Sequence, residues 1–330
     1  MQRPVRWGVL GAANFAREQM APAIHLARGA DLAAIASSDP AKVARFTEFA
    51  PGLTVHPTYD ALLADPTIEA VYIPLPNHLH VEWTLKALDA GKHVLVEKPL
   101  AMRAADFAPV IARRDATGLL AAEAYMPVHH PQFIRARELV QGGAIGELRH
   151  VEAIFAYNNE DAPDNIRNRP ETGGGGLPDI GVYPIGSARF VTGAEPERVD
   201  FARIERENGV DVKAQVIATF PGFTFGATVS MRLFDRQEIA FYGSTGHLRV
   251  LCPWNANVHD LAEIRLETAG KRVVSERFPT ENHYVHQVEN FCRTLRTGAP
   301  YPCPLEFSQG TQRMIDMAFA ADSARRGETA

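Results

Sequence analysis

At 330 residues, 46% hydrophobic and 22% charged, the chain has ordinary folded composition and more length than one core usually takes, so two domains are expected. A net charge of −5 gives no basic footprint for nucleic acid and no reason to expect a membrane surface as partner. No apolar run nears the roughly 18 residues of a membrane span, no secretory signal pattern precedes the first strand-like run, and Cys252, Cys292 and Cys303 are too scattered for a disulfide frame or a zinc site, so a reducing cytoplasm is the expected location.

From residue 1 to about 125, strand-like and helix-like segments alternate. Val5–Leu10 is short and apolar, and Gly11 to Ala16 leads into a helical run reaching Arg28, with Pro22 as a kink or second start. Leu32–Ala36 reads as the second strand, and Asp39-Pro40 supplies a cap followed by proline at the first helical position. Ala70–Pro74 is a further strand, with Asn77 placed to cap the helix carrying Leu79, Leu85 and Leu88. His93–Val96 is the next strand, ending in Glu97-Lys98-Pro99; Ala104–Ala116 reads as a helix stopped by Gly118, and Leu119–Ala124 as a strand. Repeated βα units at this spacing predict a parallel, doubly wound sheet.

Beyond Pro127 the texture changes. Residues 132–141 look helical and close on Gly142-Gly143. Strand candidates then follow at 147–156, 198–206, 212–220, 223–231, 237–242, 247–251, 261–266 and 272–278. Turns such as Asn208-Gly209 and Pro221-Gly222 favour antiparallel neighbours. Tyr284–Leu295 and Glu306–Arg325 return to helical periodicity. The expected architecture is α/β plus α+β: a nucleotide-type, doubly wound domain over 1–125, then a large, mostly antiparallel sheet domain over 126–330. Its last helices are free to pack back on the first domain.

The turn Gly8-Val9-Leu10-Gly11-Ala12-Ala13-Asn14-Phe15-Ala16 lies between a strand and a helix, the setting of a dinucleotide fingerprint. Gly11 supplies the tight turn, and Ala13 and Ala16 occupy the places of the second and third glycines. Backbone N–H groups and a helix N-terminus there favour a pyrophosphate, although glycine-containing βα turns also occur in proteins that bind no dinucleotide. The second strand ends in Ala36-Ser37-Ser38-Asp39, with Lys42 one turn on. An acid at Ser37 would select NAD; two hydroxyls and Lys42 leave room for the 2′-phosphate of NADP. Asp39 fits a helix cap better than a ribose ligand. NADP is therefore the expected cofactor, with NAD admitted.

Lys98 stands where a buried strand stops, and in open α/β sheets ligands collect outside the carboxyl ends of strands. Pro99 restricts the backbone before it to extended conformations. Taken alone, a lysine in this place is a solvated charge. Its reading depends on what surrounds it.

Together these stretches resemble the glucose–fructose oxidoreductase, inositol dehydrogenase and rhizopine-catabolism family (GFO/IDH/MocA), over essentially the whole chain. The resemblance rests on Glu97-Lys98-Pro99 after Pro74-Leu75-Pro76-Asn77-His78-Leu79-His80 and Ala90-Gly91-Lys92-His93-Val94. Gly173-Gly174-Gly175-Gly176-Leu177-Pro178-Asp179-Ile180-Gly181-Val182-Tyr183 and Tyr242-Gly243-Ser244-Thr245-Gly246 add to it. It implies a Rossmann domain that binds its cofactor through the Gly11 turn with Ala12, Ala13, Asn14 and Phe15. The resemblance adds Ser37, Ser38, Lys42, Pro74, Leu75, Asn77, His80, Glu97 and Lys98. It also implies a C-terminal sheet whose outer face often mediates dimerisation, with Lys98, Asp179 and Tyr183 flanking the nicotinamide and the substrate carbon. Tyrosine at 183, where many relatives carry histidine, resembles the branch of dihydrodiol dehydrogenases, D-xylose dehydrogenases and glucose–fructose oxidoreductase, which mainly uses NADP. Two features depart from the pattern. Met126 and Val128 replace an expected aromatic and arginine in Glu123–Pro131, and Pro178 precedes Asp179.

Hydride transfer requires a proton to move at the substrate oxygen, and the cofactor leaves alignment and acid/base work to the protein. An ammonium beside a phenol favours the phenolate, so Lys98 and Tyr183 are both candidates for the proton carrier. Asp179 and Tyr183 are four apart and share a face if the segment is helical. Met126, Phe155, Arg167 and the stretch near His283 are expected to line the substrate pocket, whereas His129 and His130 are expected at the surface. The plain readings are a core tyrosine for Tyr183, an N-cap for Asp179, an ion pair for Glu97 and a flexible linker for the four glycines. The competing function is a non-catalytic NAD(P)-sensing regulator of the same fold, which the joint presence of Lys98, Asp179 and Tyr183 disfavours.

Overall fold

The apolar run after the first charged residues forms β1 (Val5–Leu10), buried on both faces as a central parallel strand must be. The computed structural model describes residues 3–328. From β1 the chain runs through α1 (Ala21–Leu26), β2 (Ala30–Ala36), α2 (Pro40–Thr47), β3 (Thr54–His56) and α3 (Tyr59–Leu63). It continues through β4 (Ala70–Ile73), α4 (His80–Asp89), β5 (His93–Val96), α5 (Phe107–Thr117) and β6 (Ala121–Glu123). After α6 (Pro131–Gln141) and β7 (Leu148–Asn158) come α7 (Val182–Thr192), β8 (Arg198–Glu207), β9 (Val210–Phe220) and β10 (Phe223–Ser230). The chain closes with β11 (Arg232–Gly243), β12 (Gly246–Val250), β13 (Glu263–Thr268), β14 (Arg272–Arg277), α8 (His283–Thr297) and α9 (Leu305–Arg326).

Two compact units emerge, the chain up to His129 with His283–Ser308, and His130–Asn282 with the chain from Gln309. In the first, six parallel strands run in the order β3-β2-β1-β4-β5-β6, the doubly wound Rossmann sheet expected. The order reverses between β1 and β4, so the crevice for a ligand lies outside their carboxyl ends. Asp39 caps α2, its Oδ1 accepting from the N–H groups of Ala41 and Lys42, as its sequence setting predicted. Between Phe15 and α1 the chain makes a π turn over Ala16–Met20, and Pro22 stands in the first turn of α1, where its missing N–H is not needed. Neither β3 nor α3 has a clear periodic signal; Thr58 caps α3 by accepting from Ala61 N–H. From the far end of the chain α8 joins this unit, packing Phe291 on Trp7 with ring centroids 4.9 Å apart.

The second unit is an eight-stranded sheet in the order β14-β13-β12-β11-β7-β10-β9-β8. It is antiparallel except at its centre, where β7 and β10 pair in parallel from Thr224/His150 to Ser230/Ala156. The turn signals could not reveal that pair, because β7 and β10 are joined by no turn. Inward positions such as Ala214, Val216 and Ala218 alternate with outward Gln215 and Ile217, the period-2 pattern of a half-covered sheet. His129 and His130 are 2% and 0% exposed, contrary to the surface position expected for them. Each is held by its neighbours: His129 Nδ1 lies 2.9 Å from Asn290 Nδ2 in the first unit, and His130 Nδ1 accepts from Gln132 N–H in the second.

Candidate functional site

The first unit builds a cavity of about 620 Å³ at the crevice between β1 and β4. Gly11 lies in its wall with φ +109°, a conformation that disfavours any side chain, and a Cβ there would meet Leu75 Cδ2 and the Tyr59 hydroxyl at 3.3 Å. Ala12, Ala13, Ser37, Ser38, Lys42, Pro74 and Leu75, all expected from the sequence to serve the cofactor, line the cavity with Gly11. Asn14, Phe15, Asn77, His80, Glu97 and Lys98 do not. Phe15 instead meets Tyr284 edge-on, with ring centroids 5.7 Å apart. The open glycine turn, the small rim and the absence of an acid at Ser37 fit an adenosine phosphate.

Wall residues that escaped the sequence reading are Pro57, Thr58, Tyr59, Asp60 and Trp83. Tyr59 and Trp83 meet edge-to-face at 4.9 Å, and the Lys86 ammonium lies 4.1 Å from the Trp83 ring. Thr58 followed by a short apolar run was the available signal, that of a capped helix.

His80 requires a correction. It is fully buried, with Nδ1 2.8 Å from the Pro99 carbonyl and Nε2 2.6 Å from the Leu75 carbonyl. It therefore ties the loop after β4 to the loop after β5 and does not face the cavity. Burial pushes its pKa down to about 4 and outweighs the two carbonyls, which favour the charged ring. Neutral at pH 7, the ring donates from one nitrogen at a time.

Lys98 follows β5 and joins Pro99 through a cis peptide bond. Glu97 Oε1 accepts from the Tyr72 hydroxyl at 2.6 Å and Oε2 from Lys98 N–H at 3.3 Å. Burial pushes the Glu97 carboxyl up to about 6, against the opposing pull of Lys98 and Tyr72. Glu97 thus orients the end of β5. Glu123 likewise accepts from Leu100 N–H at 2.7 Å, which pins the chain just beyond Lys98.

In the second unit the glycines lead into a π turn over Leu177–Gly181, continued by α7. This irregular turn carries Asp179, and Tyr183 stands in the first turn of α7; both are 7% exposed. Gly175 has φ +132°, and its position leaves no room for a side chain beside Asp211. Arg167 Nε lies 2.9 Å from Asp179 Oδ2, and the Tyr157 hydroxyl donates to the same oxygen at 2.7 Å. The Asp179 carboxylate pushes the Arg167 guanidinium above its ordinary value. Asn165 caps the turn before Arg167 by accepting its backbone N–H.

Tyr183 packs in an aromatic group with Phe155, 5.5 Å away edge-on, and Trp254, which stacks on Phe155 at 4.7 Å. Trp254 Nε1 donates to Ser187 on α7 at 2.9 Å. Phe155 is 5% exposed in this group, and Met126 is 2% exposed in the 3-10 turn Met126–His129 of the first unit. Both were expected to line a substrate pocket; each is buried, Phe155 against Tyr183 and Trp254. Trp254 and Tyr157 were missed. Tyr157 lies in strand phase with Phe155, which was the signal that could have found it.

Residues 5–125 match the GFO/IDH/MocA model described as an oxidoreductase family with an NAD-binding Rossmann fold, and residues 133–249 match the GFO/IDH/MocA C-terminal domain. A dTDP-3,4-didehydro-2,6-dideoxy-alpha-D-glucose 3-reductase from Saccharopolyspora spinosa is 38% identical, covering 96% of this chain and 96% of that one. A D-xylose 1-dehydrogenase (NADP(+)) from Haloferax volcanii is 35% identical, covering 97% and 98%. A 3-ketoreductase from Actinomadura kijaniata, solved with NADP and TDP-benzene, superposes with a TM-score of 0.86 at 32% identity, covering 99% and 98%.

Proposed function

The chain belongs to the GFO/IDH/MocA family of NAD(P)-dependent oxidoreductases, and on that basis we propose that it is an NADP-preferring dehydrogenase or reductase of a sugar, cyclic polyol or related hydroxy/carbonyl compound. The observation that carries the reading is the cavity at the β1/β4 switch point, with Gly11 in its wall and Ser37, not an acid, at the position just after β2 where an NAD-selecting acid would stand. The relatives named for NADP and for sugar substrates support it.

A bound nicotinamide cofactor supplies the hydride chemistry. The protein supplies the rest. Ser37, Ser38 and Lys42 receive the 2′-phosphate, and the Gly11 turn receives the pyrophosphate. Lys98 and Tyr183 are the acid/base candidates at the substrate oxygen, and Asp179 with Arg167 binds substrate hydroxyls. The reading includes a homodimer through the outer face of the eight-stranded sheet, on which Ile217 and Tyr242 are 48% and 40% exposed. It also includes a reducing cytoplasm, in keeping with three buried cysteines that form no disulfide.

The test is a fluorescence titration with NADP(H) and NAD(H), followed by a screen of aldoses, inositols and dicarbonyls that follows reduced-nicotinamide absorbance. Tighter NADP binding and turnover of one of these classes are expected. A protein that binds neither cofactor overturns the reading. Light scattering checks the dimer.

A further inference from the structure

Tyr157 closes β7 within the second unit, and its ring packs on Val210, Val212 and Met231 from β9 and the chain after β10. Packing thus aims the ring, while its hydroxyl donates to Asp179 Oδ2 at 2.7 Å. Arg167 Nε lies on that same oxygen at 2.9 Å. Two donors on one oxygen, one of them a cation, favour the ionised carboxylate and leave it one orientation. Other charged and titratable groups around them include Tyr183, Arg232 and, across the π turn, Asp211. Burial and the neighbouring Asp179 push the Tyr157 phenol well above its ordinary value, so it keeps its proton and remains a donor at any working pH.

We propose that Tyr157 is a positioning residue for Asp179: with Arg167 it holds the carboxylate charged and fixed, so that Asp179 accepts from a substrate hydroxyl and does not itself carry the proton. The proposal rests on the reading that Asp179 binds substrate. Its geometric part, the grip of Tyr157 on Asp179, stands apart from any turnover.

The experiment is Tyr157→Phe, which keeps the ring packing and deletes only the hydroxyl. In the cofactor-free protein, carbon NMR of labelled aspartate is expected to show the wild-type Asp179 carboxyl titrating below the ordinary carboxylate value of about 3.9, and higher in the variant. With an accepted substrate, kcat/KM is expected to fall about tenfold, the size of a lost hydrogen bond to a charged group. Its acid limb should move to higher pH while NADP affinity holds. In an Asp179→Asn background the same change should add nothing further. A wild-type Asp179 titrating at or above the ordinary value overturns the proposal without any variant. So does a Tyr157→Phe protein with an unchanged titration and only a lower melting temperature. If no sugar is turned over, the functional reading falls, whereas the NMR result still decides the link between Tyr157 and Asp179.

Discussion

Asp211 accepts the backbone N–H of Leu177 at 2.6 Å, which ties β9 to the first turn of the helical segment that carries Asp179 and Tyr183. Burial pushes this carboxyl up to about 6, opposed by the Leu177 and Gly176 amides, so it is ionised and accepting at pH 7. Asp211→Ala strands those amides in a buried place. A loss of about 1–3 kcal/mol is expected in urea unfolding at pH 7, with cofactor affinity held because the cavity belongs to the other unit.

Gly11→Ala tests the cofactor cradle. The new methyl faces Leu75 and Tyr59 at 3.3 Å, on a backbone with φ +109°. Strain of order 1–3 kcal/mol at this turn is expected to weaken NADP binding tenfold or more by fluorescence titration.

Ser37→Asp places a carboxylate where an NAD-selecting acid stands in a Rossmann domain. Ser37 Oγ now accepts from Asp39 N–H at 3.1 Å, and Asp39 is spent on the cap of α2. The variant is expected to bind NADP at least tenfold more weakly and NAD no worse, read as the ratio of the two dissociation constants.

Lys98→Met separates catalyst from sensor. General acid–base catalysis contributes roughly 10²–10⁴-fold, so kcat should fall by about that factor while the NADP dissociation constant moves only a few-fold. A wild-type protein with no turnover to lose would favour the regulator.

Asp322 gives the pH dependence of stability. It is fully buried and accepts from Ile204 N–H, Arg206 and Arg325, with Arg326 3.1 Å away. Burial opposes ionisation, but these donors hold the carboxyl at about 2. A folded pKa below the unfolded value means stability that is present above pH ~4 and lost as pH falls through about 2. Asp322→Asn is expected to cost about 2 kcal/mol at pH 7, reduced from a wholly buried pair because the arginines are about a third exposed. Denaturation from pH 7 to pH 2 should show the two proteins converging at the acid end.

The doubly wound sheet was legible because most of its βα units, the β3–α3 unit excepted, are local patterns of short apolar runs, caps and glycine stops. The outward–inward alternation of the second sheet was legible for the same reason. Two things were not. The parallel pairing of β7 with β10 joins strands far apart in the chain. The burial of His129, His130, Met126 and Phe155 depends on what other segments lie over them.

Lys98, Asp179 and Tyr183 were singled out by the family resemblance; from residue types and spacing alone came most of the order of elements, the Gly11 turn, the Asp39 cap and the serine rim. All of these act over a few residues, where steric limits on φ and the period of helix or strand leave little choice. Only the tertiary structure decided which side chains meet. Tyr157 reaches Asp179 across 22 residues, Asp211 reaches Leu177 across 34, and His80 bonds both Leu75 and Pro99. Such contacts form where buried polar groups must find partners in a packed interior, and no local pattern encodes which partner that will be.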